Sequence, residues 1–291
     1  MTRPVPRPGI IGLGMIGGGI AVSLVRSGQV PAVFDVREDA TSVLDGVPAQ
    51  LSSPADVAHE SDVVIISVLT AEQVEDVLTG ENGLLTQARP GLILVLVSTV
   101  SLAAVRHFIA LCAHHDVVLL DAGVAGGATA YNNGLTVMIG GSEEDVNRAT
   151  PVLNGFAKAV IHCGPAGAGM VAKLAKNVVV YGSWAVAREA AGLAIAGGVS
   201  LERFIEVVDQ GGDVGTDPFV WLRIKQTGAD MPEDVLTRFE HVAQKDLDAA
   251  QELAGELAAH LPIARLIQPQ IGDVYHGRLS DPLSIESGGH G

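Results

Sequence analysis

Two lysines and an asparagine lie close together in residues 167–177, which read GAGMVAKLAKN. Helical spacing places Lys173 and Asn177 one turn apart on the same face, with Lys176 beside them. The positive end of the helix dipole and the like charge of Lys176 both disfavour the protonated form of Lys173. These residues therefore predict a lysine whose pKa is lowered toward the range useful for proton transfer. The same pattern is also typical of a solvated helix face.

A glycine-rich stretch near the start of the chain is a second candidate site. Residues 12–17 fit the pattern G-x-G-x-x-G, follow a predicted strand and open a predicted helix, which is the context in which this pattern binds a dinucleotide. Gly12 permits the tight turn, Gly14 lets the backbone approach the pyrophosphate, and Gly17 lets the helix pack on the strand. The predicted cofactor-binding residues of this loop are Gly12, Leu13, Gly14, Met15, Ile16 and Gly17.

A carboxylate and a guanidinium follow the second predicted strand. Asp35 lies 18 residues after Gly17, close to the distance at which a carboxylate accepts the ribose hydroxyls of NAD. It would repel the 2′-phosphate of NADP, whereas Arg37 could stack on adenine or pair with that phosphate. We therefore predict NAD, with NADP as the alternative; a turn or capping role for Asp35 is the remaining interpretation. Further residues assigned to the cofactor site are Val36, Val68, Leu69 and Thr70.

The composition limits the class of protein. The 291 residues are 48% hydrophobic and 18% charged, with a formal net charge of −15. This is enough apolar material for one large or two modest cores, and it excludes disordered and fibrous chains. The negative charge argues against nonspecific nucleic-acid binding.

Cysteine usage and apolar stretches bear on metals, location and membranes. Cys112 and Cys163 are too few for a disulfide scaffold and lack metal-ligand spacing, so we expect no metal site and a reducing cytoplasm. Glycines interrupt the apolar stretch 9–25, which argues against a signal helix. Glycines and two asparagines also break residues 122–142, so we expect no membrane partner.

The elements that must position these residues alternate along the first half of the chain. Short β-branched runs separated by helical stretches are typical of βαβ units and of a parallel sheet covered on both faces. The predicted strands are residues 9–12, 32–35, 62–68, 92–97, 117–122, 136–140 and 160–163. After residue 165 a long helix is predicted over about residues 166–196, followed by amphipathic helices through residue 270 and a frayed tail at 284–291.

These patterns predict an α/β protein with two domains. Residues 1–164 would form a Rossmann-type, doubly wound, mostly parallel sheet that binds the dinucleotide. A long interdomain helix would then lead into an all-α domain for substrate binding and dimerisation in residues 165–291. Alanine-rich helices there should leave apolar faces that need cover, so we expect a homodimer or homotetramer.

Separated blocks of the sequence resemble the β-hydroxyacid dehydrogenase family, which includes 3-hydroxyisobutyrate dehydrogenase and tartronate semialdehyde reductase. The similarity runs over nearly the whole chain. The blocks are IGLGMIG at 11–17, Ser98-Thr99, DAGVAGG at 121–127, GAGMVAKLAKN at 167–177 and KDL at 245–247. The resemblance also implies a C-terminal domain like that of 6-phosphogluconate dehydrogenase.

The resemblance implies a role for each matching residue. Lys173 would be the general acid and base, and Asn177 would orient the substrate oxygen. Thr99 and Lys245 would complete the wall around nicotinamide and substrate. Backbone N–H groups of Gly126 and Gly127 can approach a substrate carboxylate closely, because no Cβ intervenes.

Three departures from the family pattern lie around the substrate. Gly123 replaces the usual proline, Ala125 replaces the usual serine, and Lys176 replaces the first of two asparagines. Ala125 therefore lacks one hydroxyl in the substrate wall, and we predict that Lys176 adds positive charge for an anionic substrate. The loop at 211–221 either contributes to substrate selection or is an ordinary loop between helices.

Together these features predict an NAD(P)-dependent oxidoreductase that transfers a hydride between nicotinamide and a small 3-hydroxy acid or its semialdehyde. An imine reductase on the same scaffold is the first alternative. Lys173 argues against it, because the resemblance implies that imine reductases generally lack lysine at this position. The second alternative is a non-catalytic dinucleotide-binding protein.

Overall fold

The computed structural model describes residues 6–211, 219–220, 223 and 231–276. The chain forms two compact units, and their boundary lies between Lys176 and Asn177. Most of the predicted loop at 211–221, namely residues 212–218 and Trp221, lies outside the described residues, as does the tail at 284–291.

A seven-stranded sheet forms the centre of the first unit. Its strands are β1 (Pro8–Ile11), β2 (Ala32–Phe34), β3 (Val63–Ile66), β4 (Ile93–Leu96), β5 (Val118–Ala125), β6 (Leu135–Gly140) and β7 (Ala157–Gly164). The strand order is β2-β1-β3-β4-β5-β6-β7. The neighbouring pairs are parallel except β5 and β6, which are antiparallel. The predicted doubly wound, mostly parallel sheet is therefore confirmed.

Helices cover both faces of this sheet. They are α1 (Met15–Arg26), α2 (Pro54–Glu60), α3 (Ala71–Thr79), α4 (Leu102–Ala113) and α5 (Glu143–Leu153). Four of them begin with a side-chain oxygen that accepts a hydrogen bond from a first-turn backbone N–H, which satisfies an otherwise unpaired donor. These capping residues are Ser53, Thr70, Ser101 and Ser142.

The core lies in two apolar layers, one on each face of the sheet. Successive residues of a strand enter opposite layers, as Ile65 and Ile66 of β3 do, and both are fully buried. This arrangement explains why the strand sequences are continuous apolar runs instead of alternating patterns.

A single long helix, α6 (Ala168–Ala196), begins in the first unit and continues into the second. Its 29 residues match the predicted range, and a helix of this length extends about 44 Å. The predicted domain boundary at residues 164 and 165 lies within the first unit, because the first turns of α6 pack on the sheet. As a boundary between folding domains it stays a prediction.

The regular elements described in the second unit are helices. After α6 come α7 (Leu201–Gln210), α8 (Glu233–Glu256), α9 (Pro262–Ile267), a 3₁₀ helix (Gln268–Gln270) and α10 (Ile271–His276). Polar contacts hold the short helices in place. The Glu189 carboxylate accepts the N–H groups of Ile263 and Ala264 at 2.9 and 2.8 Å, and the His276 ring lies 3.0 Å from a Glu240 oxygen.

The start of α6 approaches the sheet closely at Gly169. A Cβ atom there would lie 2.5 Å from the carbonyl oxygen of Asp121 on β5 and 2.6 Å from that of Met138 on β6. Met170, the next residue, is fully buried. The helix can therefore reach this position only with glycine at residue 169.

We expect Gly169→Ala to lower the free energy of unfolding by about 1–3 kcal/mol, because its methyl group would displace α6 from the sheet. Gly255→Ala, near the end of helix α8, is the matched control, since its Cβ would meet no atom within 4 Å. That control should raise the free energy of unfolding by up to about 1 kcal/mol. Urea denaturation of both variants measures the difference, and equal effects would contradict the close approach.

Candidate active site

The glycine loop lies at the carboxyl end of β1 and has the geometry that a dinucleotide needs. Gly12 has a φ of 88°, which favours glycine. A Cβ atom at Gly17 would overlap the carbonyl of Gly12, whereas a Cβ at Gly14 would meet no atom within 4 Å. The backbone at Gly14 is therefore open to an approaching pyrophosphate. No side chain in the described part of the chain caps α1, so its first N–H groups can bind an anion.

Asp35 and Arg37 form a compact ion pair beside this loop. The Asp35 side chain is only 8% exposed and accepts hydrogen bonds from Leu13 N at 2.7 Å and from Arg37 Nε at 3.0 Å. Burial would raise the pKa of Asp35, but the hydrogen bonds from Arg37 and from Leu13 N outweigh it and hold the pKa below its usual value. Asp35 thus clamps the glycine loop, and its role as an acceptor for ribose hydroxyls stays a prediction.

Three exposed apolar side chains surround the loop. Met15, Val36 and Leu69 are 67%, 89% and 86% exposed. They follow the carboxyl ends of β1, β2 and β3, which lie at one edge of the sheet because these strands are parallel. A bound dinucleotide would cover apolar surface at this edge, so these side chains fit its walls.

The loops after β3 and β4 are tied together by Ser98, a member of the Ser98-Thr99 block that carries part of the family resemblance. Ser98 Oγ donates to Val68 O at 2.7 Å and accepts from Val68 N at 3.0 Å. Thr99, the next residue, is exposed at the same edge of the sheet. Thr70 caps α3, so its hydroxyl oxygen accepts the N–H of Gln73. Ser98 therefore fixes the loop that presents Thr99.

The predicted substrate segment lies next to the glycine loop. Ala125 ends β5, and Gly126 follows it in the left-handed region with a φ of 88°. A Cβ atom at Gly127 would lie 3.2 Å from Ile16 Cδ1. The 3₁₀ helix Gly127–Asn132 is in turn bonded to α1, where Ser23 Oγ donates to the carbonyl of Ala130 at 2.8 Å.

Lys173 is held at the carboxyl end of β5. Its Nζ donates a hydrogen bond to the carbonyl oxygen of Val124 at 2.6 Å. Burial lowers the pKa of Lys173, and the positive charge of Lys176 lowers it further. The stem of Lys173 lies over Gly123, where a Cβ atom would come within 2.9 Å of Lys173 Cγ. Glycine at 123, a departure from the family pattern, therefore leaves room for this conformation of the lysine.

Asp121 is a buried polar residue of β5 to which the sequence assigned no role of its own. It is fully buried, and its two oxygens accept the N–H groups of Gly167 at 2.5 Å and Met170 at 2.7 Å. The sequence signal that could have identified Asp121 is its position as a single carboxylate directly after the apolar run of residues 117–120. Its partners lie 46 and 49 residues away and could not be identified from spacing.

The first unit thus brings together two groups of predicted residues. The glycine loop lies with Asp35, Arg37 and Gly127, and Lys173 lies with residues 123 and 124 of β5. Lys176 is exposed.

Two predicted residues belong to the second unit. Asn177 follows Lys173 by one turn of α6. Lys245 lies on α8, with its ammonium group 3.2 Å from an Asp246 oxygen. The roles of both residues stay predictions. Among the described residues, no group of three His, Cys, Asp or Glu side chains could hold a metal ion.

Arg37→Ala is expected to weaken NADPH binding more than NADH binding. The variant removes a cation able to pair with a 2′-phosphate, whereas Asp35 keeps its hydrogen bond from Leu13 N. Loss of one charge-assisted hydrogen bond corresponds to a rise of about tenfold in the Kd of NADPH. Fluorescence titration with each cofactor measures both constants. Arg148→Ala, on α5, is the control, and equal losses for the two cofactors in Arg37→Ala would contradict the assignment.

Comparison with known proteins identifies relatives over most of the chain. Residues 7–164 match the family model described as the NAD binding domain of 6-phosphogluconate dehydrogenase. The "Probable 3-hydroxyisobutyrate dehydrogenase, mitochondrial" of Dictyostelium discoideum is 37% identical over 197 residues, which cover 67% of this chain and 61% of that protein. The NAD-dependent L-serine dehydrogenase of Pseudomonas aeruginosa is 30% identical over 265 residues, which cover 88% of each.

Solved structures agree with these relatives. The 3-hydroxyisobutyrate dehydrogenase of Mycobacterium tuberculosis, solved with L-serine, has 27% identity and a TM-score of 0.66, covering 94% of this chain and 99% of that chain. An imine reductase of Myxococcus stipitatus has a TM-score of 0.74 at 20% identity, covering 94% of each chain, a likeness that shows the fold alone. The sequence relatives and the matching family model together show that this chain belongs to the β-hydroxyacid dehydrogenase family of NAD-binding oxidoreductases.

Proposed function

We propose that this enzyme transfers a hydride between the nicotinamide of NAD and a small 3-hydroxy acid or its semialdehyde, with Lys173 as general acid and base. The observation that carries the proposal is the position of the Lys173 amine, 2.6 Å from the Val124 carbonyl at the edge of the sheet where the glycine loop lies. Relatives named for 3-hydroxyisobutyrate and for L-serine support this substrate class, since both compounds carry a hydroxymethyl group next to the carbon that bears the carboxylate.

Lys173 would move one proton in either direction of the reaction. Bound NAD would supply the acceptor for the hydride that leaves the substrate carbon bearing the hydroxyl. In oxidation, the neutral amine of Lys173 takes the proton of the substrate hydroxyl; in reduction, its ammonium form gives that proton to the carbonyl oxygen. The pKa of Lys173, lowered by burial and by Lys176, increases the neutral fraction available for oxidation. Val124 O accepts an N–H from either form and so keeps the nitrogen in place.

The remaining predicted residues would bind the substrate around this amine. Gly126, in the left-handed conformation, and Gly127 would direct backbone N–H groups toward the carboxylate. Ala125 offers no hydroxyl, so the substrate would be held with one hydrogen bond fewer than in relatives with serine. Lys176 would add positive charge, and Thr99 would complete the wall that the first unit provides; the roles of Asn177 and Lys245 stay predictions.

Two other functions remain as alternatives. An imine reductase would use the same scaffold, and the solved imine reductases share its fold. A non-catalytic protein would bind the dinucleotide without turnover. The lysine at position 173, with its amine at the carboxyl end of β5, favours the dehydrogenase, because the resemblance implies that imine reductases generally lack lysine there.

We expect Lys173→Met to lower kcat by at least about 100-fold, because the proton-transfer group is lost. The Kd of NADH should stay within about twofold, since the dinucleotide is bound by other residues. Turnover is measured with 3-hydroxy acids, semialdehydes and cyclic imines, each with NAD and NADP. Turnover of cyclic imines alone would establish the imine reductase, and binding without any turnover would establish the non-catalytic protein.

Lys176→Met is expected to move the pH dependence of alcohol oxidation to higher pH. Oxidation needs the neutral amine, and removal of the neighbouring charge raises the pKa of Lys173 toward its ordinary value. A higher pH is then required for the same neutral fraction. The KM of an anionic substrate should also rise. The matched control is Lys158→Met on β7. A pH profile and a KM unchanged from wild type in Lys176→Met would show that Lys176 is a surface residue with no role in the site.

We also propose that α6 carries a subunit interface of a homodimer, two of which could form a tetramer. Apolar side chains along the helix are largely exposed, among them Val178 at 74%, Tyr181 at 58% and Trp184 at 66%. Burial of such a face in a second copy would be strongly favourable. By length and composition alone, α6 is also the one described helix that could cross a membrane. The absence of a membrane partner therefore stays a prediction.

Trp184→Glu is expected to dissociate this homodimer, because a carboxylate would be placed in an apolar interface. Light scattering after size-exclusion chromatography measures the mass across a range of protein concentrations. Gln87→Glu, which adds the same charge to the exposed surface of the first unit, is the control and should keep the wild-type mass. A wild-type mass in the Trp184→Glu variant would exclude this face as the interface.

A further inference from the structure

Strand β5 contacts the start of α6 at three places. Asp121 binds the first turn of the helix, Gly123 leaves space for the stem of Lys173, and the Val124 carbonyl accepts the Lys173 amine. We propose that Asp121 is a positioning residue, whose buried carboxylate fixes the start of α6 on β5 and thereby fixes Lys173 Nζ against Val124. This inference rests on the proposed role of Lys173.

Both oxygens of Asp121 are used to hold the helix. Oδ1 accepts Gly167 N at 2.5 Å and Oδ2 accepts Met170 N at 2.7 Å. Gly167 directly precedes α6 and Met170 lies in its first turn, so a carboxylate that accepts both N–H groups acts as a helix cap and interacts favourably with the positive end of the helix. Because Asp121 is fully buried, it cannot touch the substrate. Its effect on the reaction must pass through the helix.

The position of Asp121 determines the position of the Lys173 side chain through the strand and the helix. Asp121 pairs with Leu96 on β4 and with Gly140 on β6, so its place in the sheet is fixed from both sides. Lys173 lies three residues after Met170, about one turn further along α6. A shift of the first turn would therefore move the lysine stem by a similar amount. The Val124 carbonyl would not move with it, because it belongs to the strand.

The close packing around Asp121 leaves little freedom for the helix to settle elsewhere. A Cβ atom at Gly140 would lie 2.5 Å from Asp121 Oδ1 and 2.8 Å from Gly169 N. Two glycines, one on each element, thus bring β6 and α6 to within backbone contact at the carboxylate. The cap and the glycines specify one position of α6 along β5.

The test compares loss of the Asp121 cap on α6 with loss of the cap on another helix. Asp121→Asn keeps one acceptor oxygen, and Asp121→Ala keeps none. Ser142→Ala removes the cap of a different helix, α5, where Ser142 Oγ accepts Asp145 N. We expect kcat to fall about tenfold in Asp121→Asn and further in Asp121→Ala, since small misplacements of a reacting group have effects of this order or larger. Ser142→Ala should leave kcat within about twofold, and the Kd of NADH should stay within about twofold in all three variants.

A second measurement follows the lysine itself and needs no turnover. The chain has five lysines, so reductive ¹³C-methylation gives a spectrum in which Lys173 can be assigned with a Lys173→Arg variant. In Asp121→Asn we expect Lys173 to titrate at higher pH than in the wild-type protein, because a displaced side chain becomes more exposed to water. Ser142→Ala should leave this titration unchanged.

The outcomes separate this inference from the proposed function. If Asp121→Asn matches Ser142→Ala in kcat and in the Lys173 titration, Asp121 is not a positioning residue. A parallel loss of kcat and NADH affinity also contradicts the proposal, since it indicates general damage to the fold. Gly123→Ala, which keeps the cap but displaces the lysine stem, should reproduce the loss of kcat and the shifted titration. If Lys173→Met retains full turnover, the proposed function fails, while the titration still decides whether Asp121 positions the lysine.

Discussion

The hydrogen bond between the Lys173 amine and the Val124 carbonyl is the contact on which the organisation of the site depends. It joins a side chain of α6 to the backbone of β5, so it exists only where helix and strand meet at one register. That register requires glycine at 123 and at 169, because a side chain at either position would enter the space between the two elements. Local backbone geometry in the first unit therefore determines where the proposed proton donor stands.

Local charges, not the overall charge, explain how an acidic chain binds an anionic cofactor. The net charge is −15, yet the start of α1 presents N–H groups at an open glycine backbone. The Asp35 carboxylate is screened by Arg37, whose guanidinium donates to it and also to the carbonyl of Leu13. The pair thus keeps a cation beside the carboxylate that is predicted to accept the ribose hydroxyls.

The sequence predicted the fold well because its signals are local. Continuous apolar runs located all seven strands, and helical periodicity located α6 to within two residues at its start. Strand β5 extends to Ala125, beyond the predicted end at 122, because its antiparallel pairing with β6 continues there. That pairing depends on a partner strand that no local pattern specifies. Cys112 is buried, whereas Cys163 is partly exposed near the end of β7.

The candidate site could be predicted only in part, for a related reason. The glycine loop was predictable because the backbone conformations that it needs are encoded by glycine itself. Asp121 and Ser98 act on backbone atoms of distant segments, and the acceptor for Lys173 is a main-chain carbonyl that any residue would provide. Residue types do not specify contacts with main-chain atoms of distant segments, so these contacts can be identified only in the three-dimensional structure.

The attachment of the 3₁₀ helix Gly127–Asn132 to α1 has a thermodynamic consequence for ligand binding. Ser23 bonds the carbonyl of Ala130, and Gly19 lets the two backbones approach each other, so the turn and the glycine loop form one preorganised block. The conformational entropy of this block is therefore lost when the protein folds, and its ordering does not reduce the binding free energy of either ligand. Loosening that attachment would make cofactor and hydroxy acid each bear the cost of ordering the same segment, and their binding would become cooperative.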